Sequence, residues 1–317
     1  MVKISEISYG NFGRCVKLSN SAAELIVTVD VGPRIISYRL NGCENVLFED
    51  TAREFYDGGE ELRGYFGEDK TWYIYGGHRL WSSPESYPHS YVPDNAPVAY
   101  TAQEREDGSA ALCLTPPETR TGQQHTITVE MDADTPRVKL MHTLKNVSGA
   151  TVTMAPWALT VCAAGSREIV PLSQRKSGLL SNRRCVFWEY SDLHDERFYM
   201  GNRYVTLRQV KGAPNKFKIG VNNEDGWAAV VSGGQIFLKN FDMNINGDYP
   251  DYGCSFETFT NGIFLECESL GEIRAMKHGE ESTLVEYWTL ERADGDFDMT
   301  DEQSIAAFAE KNRLCRR

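Results

Sequence analysis

The stretch HTITVEMDADTPRVKLMHTLK, residues 125–145, contains two alternating runs joined by a turn sequence. Apolar side chains occupy every second position from Ile127 to Met131. They do so again from Val138 to Leu144, except that position 142 is His. Between the runs, residues 132–136 are rich in Asp and end in Pro136. Alternation of period two is typical of a strand with one buried face, and Asp and Pro favour turns. The stretch therefore predicts an antiparallel hairpin.

Short runs with the same period recur along the whole chain, each bounded by Gly, Asn, Asp or Pro. They include residues 24–30, 34–40, 203–210, 216–221, 235–240, 263–268 and 283–291. One helix is predicted at about residues 300–313, where Thr300 and Gln303 fit a capping box. No segment resembles a linker. The pattern predicts an all-β fold, a large antiparallel β-sandwich with a short C-terminal helix, as a single domain over residues 1–317.

Composition excludes several classes of protein. The 317 residues include 33 Lys+Arg against 45 Asp+Glu, a formal net charge of −12. No run of Lys and Arg exceeds two residues, so we expect no nucleic-acid partner. We find neither a signal peptide nor an apolar run of about 18 residues, and expect a cytoplasmic protein with no membrane partner. The 8 Cys are scattered without a C-x-x-C pair, which favours reduced thiols.

The longest break in the alternation spans about residues 51–97 and predicts a functional loop. Within it, residues 72–85 combine two indoles, an imidazole, a guanidinium and a carboxylate, contributed by Trp72, Trp81, His78, Arg79 and Glu85. Charged groups can bind the hydroxyls of a sugar, while aromatic rings pack on its C–H faces. The alternative is an Arg79–Glu85 pair that only pins the loop, with Trp81 in the core.

A second candidate lies in residues 262–271, where alternation puts Glu266 and Glu268 on one strand face. Two neighbouring carboxylates can raise one pKa and create a general base, or they can form a solvated strand face. His125 and His142 share parity with apolar residues, which favours a core or pocket-wall position. No histidines have the spacing of metal ligands, so we predict neither a metal nor a cofactor.

Five motifs are spread along the chain: GGHRLW at 76–81 with Pro84 and Glu85, APWALT at 155–160, YPD at 249–251, FLECESLG at 264–271 and EYW at 286–288. Together they resemble a branch of the galactose mutarotase-like superfamily. The resemblance extends over about residues 5–291. It implies a β-supersandwich with a carbohydrate-binding face and a small-molecule carbohydrate as partner.

In aldose 1-epimerases a strand of the pattern Gly-hydrophobic-x-hydrophobic-Glu supplies the base, and residues 262–266 match it. The resemblance therefore implies that Glu266 removes the proton from the anomeric hydroxyl. The histidine that those enzymes carry near the segment matching 156–159 is absent, so His78 or His125 would have to replace it. We expect His78 to be the acid. The expected substrate-binding residues are Arg79, Trp81, Glu85, His125, Trp157, Lys239 and Asp251.

Two other functions remain open. A protein that lost the acid would bind or sense sugar without catalysis. A glycoside hydrolase or lyase would use two carboxylates, for which Glu85 is a better partner of Glu266 than Glu268 is. The sequence leaves the identity of the sugar and the oligomeric state undecided.

Overall fold

The hairpin predicted at residues 125–145 forms in the computed structural model, which describes residues 1–315. Strands Gln123–Met131 and Val138–Asn146 pair antiparallel, with Ile127 opposite His142. The connecting loop closes where the Asp132 backbone N–H donates to the Arg137 carbonyl at 3.0 Å. Leu140 and Val129 are fully buried, as the alternation predicted.

The chain is built mainly of short antiparallel strands. In chain order the elements are β1 (Lys3–Ser8), β2 (Arg14–Ser19), β3 (Ala23–Thr28), β4 (Ile35–Leu40), β5 (Tyr56–Asp57), α1 (Glu60–Phe66), β6 (Trp72–Tyr73), β7 (His78–Ser83), β8 (Ala99–Glu104), β9 (Ala110–Thr115), β10 (Gln123–Met131), β11 (Val138–Asn146), β12 (Val152–Cys162), β13 (Arg167–Pro171), β14 (Cys185–Phe187), β15 (Phe198–Met200), β16 (Tyr204–Arg208), β17 (Phe217–Val221), β18 (Trp227–Ser232), β19 (Gln235–Phe241), α2 (Pro250–Gly253), β20 (Phe256–Thr260), β21 (Leu265–Leu270), β22 (Arg274–Met276), β23 (Glu281–Arg292) and α3 (Glu302–Lys311).

Two large sheets contain almost all of these strands. The 11-stranded sheet has the order β1-β2-β3-β4-β7-β12-β21-β20-β17-β14, with β22 paired to β12. The 10-stranded sheet has the order β15-β16-β13-β18-β19-β23-β11-β10-β9-β8. The fold is therefore the large antiparallel β-sandwich that the sequence predicted. The single-domain organisation stays a prediction.

The main hydrophobic core lies between the two sheets. Leu25 and Cys267 come from the larger sheet, while Leu140, Phe237 and Trp288 come from the smaller one. A second apolar cluster covers the opposite face of the larger sheet and includes Trp72, Trp81, Trp157 and Phe264. The central strands of the larger sheet are thus buried on both faces.

Burial on both faces explains why the motif at residues 76–81 was placed in a loop. His78 to Ser83 form β7, a central strand that pairs with β12. Five of its six residues are buried, so its sequence lacks the polar–apolar alternation of a half-exposed strand. The predicted loop of residues 51–97 is accordingly divided by β5, α1, β6 and β7.

The C-terminal helix forms, but it begins and ends inside the predicted bounds. α3 spans Glu302–Lys311, and its N-cap is Asp301, whose side chain accepts from the backbone N–H groups of Gln303 and Ser304. Thr300 was predicted as the cap; its hydroxyl instead donates to Asp298. α3 packs Ile305 and its apolar neighbours on the outer face of the smaller sheet. No helix in residues 1–315 is long and apolar enough to span a membrane.

Candidate functional site

A pocket of about 250 Å³ opens on the outer face of the larger sheet. Aromatic rings dominate its wall and several charged groups project into it. The aromatic residues are Phe55, Trp72, Trp81, Tyr91, Trp157, Trp188, Tyr190, Phe259 and Phe264, and the charged ones are Arg79, Glu85, Lys216, Lys218 and Glu266. Among the predicted site residues, the pocket therefore brings together Arg79, Trp81, Glu85, Trp157 and Glu266.

Arg79 and Glu266 form an ion pair at the base of this pocket. Arg79 Nη2 donates to Glu266 Oε1 at 3.0 Å. Both strands pair with β12, where Leu159 lies opposite Arg79 and Val161 opposite Glu266. The two long side chains therefore meet across one intervening strand. The guanidinium also stacks 4.5 Å from the centre of the Trp81 ring.

Burial controls the protonation of Glu266, which is 8% exposed. Desolvation raises its pKa above the ordinary value, and the opposing effect of the Arg79 charge does not cancel that rise. A carboxylate with a raised pKa is more basic than a solvated one, so Glu266 combines ionic pairing with increased proton affinity. Two N–H groups of Arg79, at Nε and Nη1, have no hydrogen-bond partner among the described residues.

A buried charge cluster lies beside this pair. Lys218 Nζ is 2.8 Å from Glu257 Oε2 and 3.1 Å from Glu268 Oε2. Trp157 Nε1 also donates to Glu268 Oε2 at 2.8 Å. Glu268 is fully buried, so the alternative of a solvated strand face is wrong. Burial raises the pKa of Glu257 to about 8, even though the Lys218 charge lowers it.

Lys218 is further enclosed by two indole rings. Its Nζ lies 4.8 Å from the centre of the Trp157 ring and 4.7 Å from that of Trp188. Burial alone would lower the pKa of this lysine, but the carboxylates of Glu257 and Glu268 outweigh burial and raise it. Lys218 therefore stays charged between the two indoles, and it pairs with Glu268, the carboxylate that binds the indole N–H of Trp157.

Glu85 lies at the pocket rim without an ion pair to Arg79. Its Oε1 accepts a hydrogen bond from Tyr91 Oη at 2.6 Å. The alternative in which an Arg79–Glu85 pair pins the segment is therefore wrong, because the guanidinium binds Glu266 instead.

The sequence reasoning missed Trp188 and Tyr190, which follow the short strand β14. Ser191 fixes this segment: its hydroxyl donates to the Lys218 carbonyl at 2.7 Å and accepts from the Lys218 backbone N–H at 2.9 Å. Tyr190 stands edge-on to Phe259 with ring centres 6.5 Å apart. The one available signal was the pair of aromatic residues in a polar turn, which nothing in the sequence connects to Glu266.

His78 lies on the opposite face of β7 from Arg79, in the core between the sheets. It has no exposed surface. Its Nδ1 is 2.9 Å from Thr160 Oγ1, and its Nε2 is 2.7 Å from His142 Nε2. Adjacent residues of a strand point to opposite faces, so His78 cannot reach a ligand that contacts Arg79. This placement argues against the acid role expected for His78.

Hydrogen bonding fixes the protons of these two histidines. His142 Nδ1 lies 3.1 Å from the Leu284 carbonyl and must donate to it. Neutral His142 then accepts at Nε2 from His78, whose Nδ1 in turn accepts from the Thr160 hydroxyl. Burial lowers the pKa of both imidazoles, which keeps them neutral.

This interior cluster also resembles a metal site. Each of His78, His142 and Glu286 offers one ligand atom, and these three atoms lie within 4.8 Å of one another. However, Lys239 Nζ lies 3.0 Å from Glu286 Oε1 and donates to Thr160 Oγ1 at 3.0 Å. An ammonium in this position repels a cation, and the hydrogen bonds already account for every imidazole nitrogen. The donor set therefore does not fit a metal ion.

Three predicted binding residues lie away from the aromatic pocket. Lys239 is fully buried between the sheets. His125 lines a separate cavity of about 290 Å³, which shares Trp81 with the pocket. Its ring bonds to the Leu80 carbonyl at 3.1 Å, and burial lowers its pKa to about 4. Asp251 lies in α2 with φ of 48° and is not among the residues that line the pocket.

Known structures share this arrangement of sheets. A Klebsiella pneumoniae protein provisionally assigned as an aldose 1-epimerase superposes with a TM-score of 0.63 at 11% identity, over 99% of this chain and 88% of that one. A galactose mutarotase-like protein from Clostridium acetobutylicum gives a TM-score of 0.53 at 11% identity, over 92% and 99% of the two chains. The chain has the galactose mutarotase-like fold.

Larger proteins contain the same fold as one part. A TPR-domain containing protein from Parabacteroides distasonis matches with a TM-score of 0.61 at 14% identity, over 90% of this chain and 48% of that one. This chain thus spans about half the length of that protein. No family model matches the sequence, and no curated protein matches it. At these identities the likeness shows the fold alone.

Proposed function

We propose that this protein binds a sugar in the aromatic pocket and interconverts its anomers as an aldose 1-epimerase, with Glu266 as the base. The observation that carries the proposal is the buried Arg79–Glu266 pair, at 3.0 Å, on the floor of a pocket walled by indole and phenol rings. Aromatic faces pack against the C–H faces of a pyranose, and charged groups bind its hydroxyls.

The chemistry of Glu266 supports the role of base. Burial raises its pKa, which makes the carboxylate a stronger proton acceptor for an anomeric hydroxyl. Arg79 keeps it oriented, and the second carboxylate oxygen has no ion-pair partner within residues 1–315. Trp81 and Trp157 form the adjoining wall, and Glu85 stands at the rim.

Glu266→Gln tests this proposal. The amide keeps the shape of the side chain but cannot accept the proton, so we expect the acceleration of mutarotation to fall by about 10²–10⁴-fold. Polarimetry or NMR exchange on freshly dissolved aldoses measures the rate, and the exposed Glu106→Gln is the matched control. An unchanged rate in Glu266→Gln would falsify the assignment of the base.

A sugar-binding protein without catalysis is the second candidate. It is favoured by the pocket lining, which includes no histidine among the described residues, whereas the aldose 1-epimerases use a histidine as acid. Calorimetry that detects sugar binding, together with no acceleration of mutarotation, is the outcome expected for this candidate.

A further inference from the structure

Opening a cyclic hemiacetal requires two proton transfers. A base takes the proton of the anomeric hydroxyl, and an acid delivers a proton to the ring oxygen. The acid must be sought among the N–H and O–H groups that line the pocket, because His78 lies behind the sheet.

Three of the candidate donors are already engaged. Arg79 donates to Glu266 and does not release a proton in proteins. Lys218 is held by Glu257 and Glu268. The Tyr91 hydroxyl donates to a rim carboxylate at 2.6 Å.

We propose that Tyr190 is the proton donor to the ring oxygen, an inference that rests on the proposed epimerase function. Its hydroxyl has no hydrogen-bond partner among residues 1–315, and 40% of the residue is exposed. Its ring packs on Phe259, which pairs directly opposite Glu266 on the neighbouring strand. Cross-strand neighbours such as Phe259 and Glu266 have Cβ atoms about 5 Å apart. Tyr190 packs on the first of these two residues, and Tyr190 and Glu266 line the same pocket.

The surroundings of Tyr190 suit a neutral donor. Burial raises the pKa of its phenol, which therefore keeps its proton at neutral pH. The Lys218 charge acts on the phenol in the opposite direction and stabilises the phenolate that forms during the reaction. Lys218 is held in place by the hydrogen bonds between its backbone and Ser191, the residue after Tyr190.

The step balances without any other reagent. Glu266 takes the proton of the anomeric hydroxyl, the oxygen electrons form the carbonyl bond, and the bond from the anomeric carbon to the ring oxygen breaks. The ring oxygen takes the proton of Tyr190, which becomes a phenolate. After rotation about the bond between the first two carbons, the reverse transfers close the ring as the other anomer.

Tyr190→Phe tests the inference, with Tyr252→Phe as the matched control. Tyr252 is 89% exposed and is not among the residues that line the pocket. On an aldose that the wild type accelerates, we expect Tyr190→Phe to lose about 10²–10⁴-fold in rate and Tyr252→Phe to keep the wild-type rate. Calorimetric sugar binding and the melting temperature should be unchanged in Tyr190→Phe, which separates loss of the donor from loss of the fold.

The outcomes separate this inference from the function on which it rests. A wild type that accelerates no aldose overturns both. An active wild type with an equally active Tyr190→Phe overturns the role of Tyr190 alone, as does an equal loss of rate in Tyr252→Phe.

Discussion

At the scale of single residues, the strand face on which a residue lies decides whether its side chain reaches the pocket, and residue type does not. His78 and Arg79 are neighbours in the sequence, yet the first lies in the core between the sheets and the second lines the pocket. The same alternation puts Glu266 in the pocket and Cys267 in the core. A motif of adjacent polar residues on a doubly buried strand therefore contributes to two separate environments.

Glu168 provides a test at this scale. It is fully buried and forms no ion pair with any described residue, and burial raises its pKa to about 8. Between about pH 4.5 and 8 the folded chain keeps a proton that the unfolded chain has released, so stability contributed by neutral Glu168 is lost as pH rises.

We therefore expect Glu168→Gln to reduce the pH dependence of stability. In the wild type this group should lower the free energy of unfolding by up to about 1.4 kcal/mol per pH unit, and glutamine cannot titrate. Urea unfolding at several pH values between 5 and 8 measures the slope of the free energy of unfolding against pH in each protein. Glu257 contributes equally to both slopes. Equal slopes for the two proteins would contradict the prediction.

At the scale of elements, the N-terminus of α3 depends on one carboxylate. Asp301 accepts from the backbone N–H groups of Gln303 and Ser304, and it satisfies donors that have no partner within the helix. Thr300 lies outside the helix and binds Asp298. The sequence predicted a cap in this region, but neighbouring Thr and Asp both fit the pattern, and only the backbone geometry selects between them.

Asp301→Ala should cost about 1 kcal/mol of stability, the usual effect of removing an N-cap. Thr300→Ala should cost less, because its hydroxyl does not bond to the helix. Thermal or denaturant unfolding of the two variants gives the comparison. A larger loss in Thr300→Ala would mean that the cap is assigned to the wrong residue.

At the scale of the whole molecule, Lys239 connects the two sheets. It extends from β19 in the smaller sheet and donates to the carbonyls of Ala158 at 3.2 Å and Cys267 at 2.9 Å in the larger one. Its charge is balanced by Glu286 at 3.0 Å. Cys267 lies between Glu266 and Glu268, so this contact supports the strand that carries the proposed base.

Lys239→Met should destabilise the protein by about 3–5 kcal/mol, because it leaves the Glu286 charge buried and unpaired. Adding Glu286→Gln should recover part of this loss, since the amide oxygen can still accept from Trp288 Nε1. Lys145→Met, which breaks an exposed pair with Glu281, is the control and should change stability by about 1 kcal/mol or less. Denaturant midpoints of all variants test this, and equal losses for Lys239→Met and Lys145→Met would contradict it.

The sequence by itself determined the fold class, because alternation of period two reports which face of a strand is buried, as in residues 125–145. A different local pattern, the capping box of Thr300 and Gln303, predicted α3. The sequence did not determine that residues 78–83 form a strand, since burial on both faces removes the alternation.

Only the tertiary structure decided which side chains share the pocket. Arg79 and Glu266 are 187 positions apart, and they meet because β7 and β21 both pair with β12. Tyr190 reaches the same space through the hydrogen bonds of Ser191 to Lys218. Strand order and loop path are long-range properties, whereas periodicity reports only the local environment of each segment.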